Sequence, residues 1–529
     1  MKKIAKIVVL LLLNSATQSL IASPLTYRPS IHGEYSLLGA AHFIGGEAEK
    51  SALQKGQFLT NELKLKIDQS FKNGWTSASN LHIRKTPDPQ IDVRRDVRLL
   101  GYTVELYNPT FHITGGELFA DFSQYTMNQA LEGVQMTAQT ESTELKLVTG
   151  SHERDEAGNH VKNWVMGGRS QILLLKEFGF AKDWKVGFNF SVEKSSNLVC
   201  SINNHLLLWD RTALEGEFAK SWIDIDKNSF LADGGWNQKS GSAVRLNTIT
   251  QFSKKAKMKL DYEWVSANFT TLNGSAVPDK VNVKSYLNYK WSKRWSSETG
   301  YRISYDKLSQ SLLTKRTFTH VPGIAFYWTP MSESWLLSDF FSKMYWEMRR
   351  RISEDNPSSQ IDFLSNEYGV ENSFKIKRIG FNSGAGVRTE KDSVQRNNDR
   401  VITNGFIGLH LQKNLLNATL APTLRWQFSY EDKPNEGGRD FVEMVFLGLD
   451  LDISNSFRFE QRYSMETASR AARDSDTVRL GAYIGLDYNL WGKDDYLFKF
   501  NYERANYAHP SNSEHFSEDN FQAQFLLKF

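Results

Sequence analysis

Residues 59–84 read LTNELKLKIDQSFKNGWTSASNLHIR. In the first half Leu59, Leu63, Leu65, Ile67 and Phe71 fall on odd positions, while Thr60, Glu62, Lys64, Lys66 and Asp68 fall between them. Successive strand side chains point to opposite faces, so this segment predicts a strand with one apolar and one charged face. Lys72-Asn73-Gly74 then supplies a three-residue loop with glycine last, which suits a type I turn closed by a G1 bulge. That loop pairs Phe71 with Trp75, Leu65 with Leu81, Leu63 with Ile83 and Glu62 with Arg84, so apolar meets apolar and opposite charges meet.

The same pattern continues along the chain. Met258, Leu260, Tyr262 and Trp264 alternate with Lys257, Lys259, Asp261 and Glu263. Ser454-Asn455-Ser456 sets Ile453 opposite Phe457, Leu451 opposite Phe459 and Asp452 opposite Arg458, and Ser292-Lys293-Arg294 sets Trp291 opposite Trp295. The patterned runs are often about 10–14 residues, longer than sandwich strands and matched to a tilted strand crossing a bilayer. Short and longer connections alternate, with longer loops expected near 119–131 and 195–203 among others. The pattern predicts an all-β fold, a single large antiparallel transmembrane β-barrel of about 22–26 strands, with 26 as the direct count.

Composition agrees. The chain has 529 residues, 13% of them aromatic, and a single cysteine, Cys200, which excludes a disulfide framework within the chain. Its mean hydropathy is negative, which excludes a bundle of spanning helices. Residues 1–23, MKKIAKIVVLLLLNSATQSLIAS, predict a Sec-type signal peptide with Lys2, Lys3 and Lys6 before an apolar core, leaving 24–529 for the barrel. Without those three lysines the charge falls from +4 to about +1, too little for a nucleic-acid partner.

The chain ends FQAQFLLKF, with Phe521, Ala523, Phe525, Leu527 and Phe529 on alternate positions. This ending resembles the last strand of bacterial outer-membrane β-barrels, a porin-like channel or exporter of no specific family. The resemblance implies an outer-membrane location reached through the periplasm. It also implies that barrel-assembly machinery reads Phe521, Phe525, Leu527 and Phe529 as a signal. Barrel-like strands are expected from near residue 31, so no plug of the kind that precedes the barrel in TonB-dependent transporters is expected.

Charge on lipid costs about 2–4 kcal/mol for Lys or Arg at the midplane, so the charged faces are expected to line the lumen. The lumen-lining candidates are Glu62, Lys64, Lys66, Asp68, Lys259, Asp261, Glu263, Asp450, Asp452, Arg458, Glu460 and Arg462. Their mixed signs argue against a strongly selective ring; the plain alternative is a cross-linked wet wall that binds nothing specific. Arg349, Arg350, Arg351, Arg94 and Arg95 fall near the longer loops, where guanidinium forks would hold lipopolysaccharide phosphates. Residues 119–131, FADFSQYTMNQAL, break the strand pattern, with Phe119, Phe122 and Tyr125 at three-residue spacing. They read either as a loop, with a helical turn, that folds inward and narrows the pore, or as an ordinary surface loop.

No catalytic, cofactor or metal motif appears. His160 and Ser170 share a segment but match no phospholipase motif, and no dinucleotide fingerprint, HExxH or CxxCH is present. The expected function is an outer-membrane channel that passes or exports polar solutes by diffusion, with no enzyme activity. Its partners would be outer-membrane lipid and lipopolysaccharide. The rival readings are a conduit or sheath around a periplasmic partner (a polysaccharide export line or a multihaem cytochrome) and a structural or adhesive surface barrel.

Overall fold

The computed structural model describes residues 29–47, 49, 51, 53–71, 73–89, 91, 97–152, 164–193, 197–224, 238–306, 316–330, 337–353, 361–394, 398–415, 418–435, 438–453, 456–469, 477–490, 495–509 and 514–529. The expected signal peptide lies outside them. One continuous antiparallel sheet closes on itself as a barrel of 26 strands. The short piece Lys413–Leu415 continues Arg400–Leu411 past Gln412 and does not add a wall strand.

The hairpin of Gly56–Ser70 and Thr76–Lys85 has the expected register: Glu62 faces Arg84, Leu63 faces Ile83 and Leu65 faces Leu81. The Phe71 amide donates to the Trp75 carbonyl at 2.8 Å, in keeping with that register. Ile453 faces Phe457, Leu451 faces Phe459 and Asp452 faces Arg458, also as expected. At the other tryptophan turn the Ser292 amide reaches the Trp295 carbonyl at 3.2 Å, but the rings find other partners. Trp295 stacks on Trp328 and Trp291 meets Tyr289 edge-on.

Closure joins the two ends of the chain. Ser30–Gly46 pairs with Gly56–Ser70 on one side and with Glu514–Lys528 on the other, setting Leu37 opposite Phe525 and Tyr35 opposite Leu527. Phe529 continues the seam by exchanging two backbone hydrogen bonds with Gly33, at 2.6 and 2.9 Å. Phe521 stacks on Tyr502 and meets Phe43 edge-on. A closed ladder satisfies backbone groups that lipid cannot.

The large exposed apolar side chains share one face: Leu147, Met166, Phe188, Ile202 and Phe218 stand on consecutive strands. In a membrane that face is the outer one and the charged face is the inner one.

Two expected loops prove to be mostly strand. Asn197–Leu208 already begins inside the predicted 195–203 loop. Residues 119–131 contain no helical turn; Phe111–Ser123 and Met127–Gln139 form a hairpin with a three-residue tip. This hairpin leaves the wall part-way. Val97–Tyr107 pairs with it only from Thr103↔Gly116 to Tyr107↔His112, five pairs, whereas the pairing with Met127–Gln139 runs on to the tip. Gly116 sits at the departure point with φ +110°, and a Cβ there would collide with the Tyr102 carbonyl. Only glycine adopts that conformation without strain, so it serves as the bend.

Candidate functional site

The inner wall is built from alternating charged positions that mostly neutralise each other. Lys64 meets Glu34 at 2.9 Å, Lys66 meets Asp68 at 3.0 Å, and His82 bonds Glu62. On the neighbouring strands Gly438–Ile453 and Phe457–Ser469, Arg458 bridges Glu460 at 2.6 Å and Asp452 at 3.6 Å, while Arg462 reaches Glu460 at 2.9 Å. Asp450 is in register with Glu460, and Lys259 shares its strand face with Asp261 and Glu263. These pairs are part-exposed, so each contributes no more than about 1 kcal/mol. Their effect is to hold side chains against the wall with alternating sign.

Past Gly116 the hairpin lies on this inner wall as an arm. Its residues Ala120, Phe122, Met127 and Leu131 pack with Val148 and Val165 in one apolar cluster. Its tip residue Tyr125 packs with Val199, Ala219, Ala243, Val265 and Phe269 in a second. Val148 shares its strand face with Lys146, Ala219 with Glu217, Ala243 with Arg245 and Val265 with Glu263, so both clusters lie on the charged, inner side. The sequence provides small or branched apolar residues where the charged row would otherwise continue. Burying them against Phe122, Tyr125 and Phe269 is worth roughly 1.5–3 kcal/mol for each large side chain.

Polar contacts fix the tip. Tyr125 donates to Glu263 at 3.2 Å, and Gln124 Nε2 donates to the same carboxylate at 3.1 Å. Arg245 donates to the side-chain oxygen of Gln124. Tyr125 lies in the tip between the two strands of the arm and belongs to no wall strand. Burial, and then the neighbouring Glu263, push its phenol well above the ordinary range, so it stays a neutral donor. Loop residues after Val265 clamp the arm from above: the Asn128 amide donates to the Asn273 carbonyl and the Ser275 amide to the Gln124 carbonyl, each at 2.8 Å. Ser191 Oγ donates to the Thr126 carbonyl at 2.7 Å, and Arg169 Nη1 to that of Phe122 at 3.2 Å.

Of the predicted inner residues, Glu263 and Asp261 are therefore part of the arm's anchorage, through Tyr125 and through Arg245 at 3.7 Å. The others stay in local ion pairs or stand along the same faces. The residues that sequence reasoning missed are Arg245, Gln124 and the alanines at 219 and 243. Their only local signal was a small residue interrupting a charged row.

The arginines expected to hold phosphate divide. Arg94 and Arg95 lie outside the described residues. Arg349 and Arg351 share the face of Tyr345 and Glu347, whose partners Glu367 and Arg302 are inner groups. Arg350 shares the face of Met344 and Trp346 and looks outward. A strand cannot aim three consecutive side chains the same way. His160 is likewise outside the described residues, and no group of three or more potential metal ligands occurs among those described.

No family model and no curated protein matches this chain. Among solved structures it is similar to the translocation pore of the P pilus usher, PapC, at 9% identity and a TM-score of 0.46, covering 94% of this chain and 100% of that one. It is also similar to OccK11 (OpdR) of Pseudomonas aeruginosa, at 9% identity and TM-score 0.29, covering 94% of this chain and 96% of that one. OccAB4 of Acinetobacter baumannii gives 11% identity and TM-score 0.28, with coverage of 94% and 98%. At such values the likeness is one of general architecture, and the barrel rests on this chain's own closed ladder.

Proposed function

We propose that the chain is a bacterial outer-membrane channel, narrowed along one side by the inward arm, through which polar solutes diffuse without chemistry or cofactor. The observation that carries this reading is the arm itself. A wall whose only task was to be solid would gain more by completing the ladder beside Val97–Tyr107 than by withdrawing a hairpin from it. The chain instead provides a glycine bend, two apolar clusters and a clamp of hydrogen bonds that keep the hairpin inside. A barrel of this strand number is wider than a general porin, and an internal obstruction limits what it would otherwise leak. The inner wall's paired charges suit weak selection by sign.

The test is single-channel conductance in planar bilayers. Deleting residues 120–130 is expected to raise conductance by roughly half or more, as an internal obstruction is removed from a wide lumen. An unchanged conductance removes the constriction. The outward Arg350 supports a second, peripheral role: a contact with lipopolysaccharide phosphate at the longer-loop rim, where a guanidinium facing lipid needs an anion.

A further inference from the structure

Beneath the arm, on the short-turn side, the inner wall forms a hollow of about 390 Å³ roofed by Phe122 and Ser123. Register aligns its floor in two rows. Asn203, Glu217 and Arg245 stand side by side on three strands, and His205, Glu215 and Asn247 form the next row two residues further on. Gly187 lies beside Asn203, and a Cβ there would collide with the Asn203 amide oxygen, so the glycine keeps the amide where it is.

We propose that this hollow is a binding subsite for neutral polyhydroxylated solutes, of the carbohydrate or polyol class. The proposal rests on the channel reading for its purpose but not for its chemistry. The lysine and arginines lining the hollow already have carboxylates: Arg245 has Asp261 at 3.7 Å, Arg169 has Glu144 at 3.7 Å and Lys185 has Asp183 at 3.2 Å. None of the three is left over to hold an anion. Buried atoms without a hydrogen-bond partner here include Glu217 Oε1, Asn247 Oδ1 and His205 Nδ1, acceptors or able to accept, beside one donor, Arg169 Nε. Each such atom left unsatisfied costs about 1–3 kcal/mol, so the hollow favours a ligand that donates more than it accepts. The amide NH₂ groups of Asn203 and Asn247 lie in the same rows and can donate to an acceptor. A hydroxyl group both donates and accepts, whereas an ammonium only donates and a carboxylate only accepts. Adjacent hydroxyls on a sugar ring can therefore engage both kinds of group along the rows.

The test is calorimetric titration of the intact purified barrel in a polyoxyethylene detergent, which carries no sugar headgroup. The probes are sorbitol, maltotriose and cellotriose, against spermidine and citrate. At least one neutral probe is expected to bind about tenfold more tightly than either charged one, and Asn203→Ala or Asn247→Ala to weaken it by about tenfold. Glu217→Gln, nearly the same shape, is expected to weaken it several-fold while the barrel keeps its heat-modifiable migration on gels, which guards against simple misfolding. Spermidine or citrate binding as tightly as the best neutral probe, no neutral probe binding, or neutral binding unchanged in all three variants overturns the proposal. Calorimetry reads binding whether or not ions pass. A barrel that binds but does not conduct keeps the subsite and loses the channel, and one that conducts without binding loses the subsite alone.

Discussion

The inner wall has two unlike sectors. From Thr143–His152 to Ala256–Val265 it is covered: Val199, Ala219 and Ala243 are 0% exposed beneath the arm. From Lys280–Lys290 onward, charged inner residues reach the lumen, as at Glu347 and Arg462, whose side chains are 43% and 44% exposed. Both sectors use the same strand alternation and the same ion-pair chemistry. They differ in the arm: Val199, Ala219 and Ala243 pack with its tip residue Tyr125, whereas a small inner residue of the second sector, Ala325, pairs only with wall neighbours.

That contrast can be broken most forcefully by charging the dock. Ala219→Arg places a cation where the arm packs and is expected to cost the docked state about 3 kcal/mol or more, raising conductance much as the deletion does. Ala325→Arg, on the inner face of the bare sector, is expected to change stability by no more than about 0.5 kcal/mol. Equal effects at the two sites would erase the distinction between sectors. A finer cut is Tyr125→Phe, which removes the hydrogen bonds to Glu263 at 3.2 Å and to the Val244 carbonyl at 3.4 Å. It is expected to loosen the arm by about 1 kcal/mol, read as faster amide exchange at Asn128 with no change in the bare sector, for example at the Met444 amide.

Two smaller effects sharpen the comparison. Arg350→Gln is expected to lower the melting temperature in lipopolysaccharide but not in neutral detergent, by a few degrees at most, while Arg349→Gln and Arg351→Gln leave the difference untouched. Equal shifts from all three would return them to a common role. Arg458→Gln, in the exposed network with Asp452 and Glu460, is expected to cost no more than about 0.5 kcal/mol and to show only as a small shift in reversal potential toward cations. A large loss of stability there would mean that the bare sector is held more tightly than its exposure implies.

Much of the fold was legible in particular residues. Lys72-Asn73-Gly74 fixed a register because its glycine and length admit few turn geometries, and the alternation around it told the two faces apart. The arm was legible only as an interruption. Phe119, Phe122 and Tyr125 look like a helical spacing, yet Ala120 and Phe122 are successive positions on one face of a strand and Phe119 points away, 60% exposed. On the arm the apolar face meets protein, not lipid, so the rule that reads apolar as outward fails there. The rows beneath it carry no local signature. Asn203, Glu217 and Arg245 lie on three strands and become neighbours only through the pairing of those strands.

The seam between the first and last strands has a consequence in time. Ser36 and Gln524, 488 residues apart in sequence, are hydrogen-bonded across it. Bringing ends so distant together costs about 5–6 kcal/mol of chain entropy by the logarithmic rule, beyond a constant term. No contact along the way can stand in for that one, because every other ladder joins near neighbours. Until Phe529 has been made and reaches Gly33, the growing sheet has two open edges, each a template for pairing with another chain. The molecule's most dangerous interval is therefore the wait for its own last strand, and whatever holds the nascent chain must guard two edges until they become one.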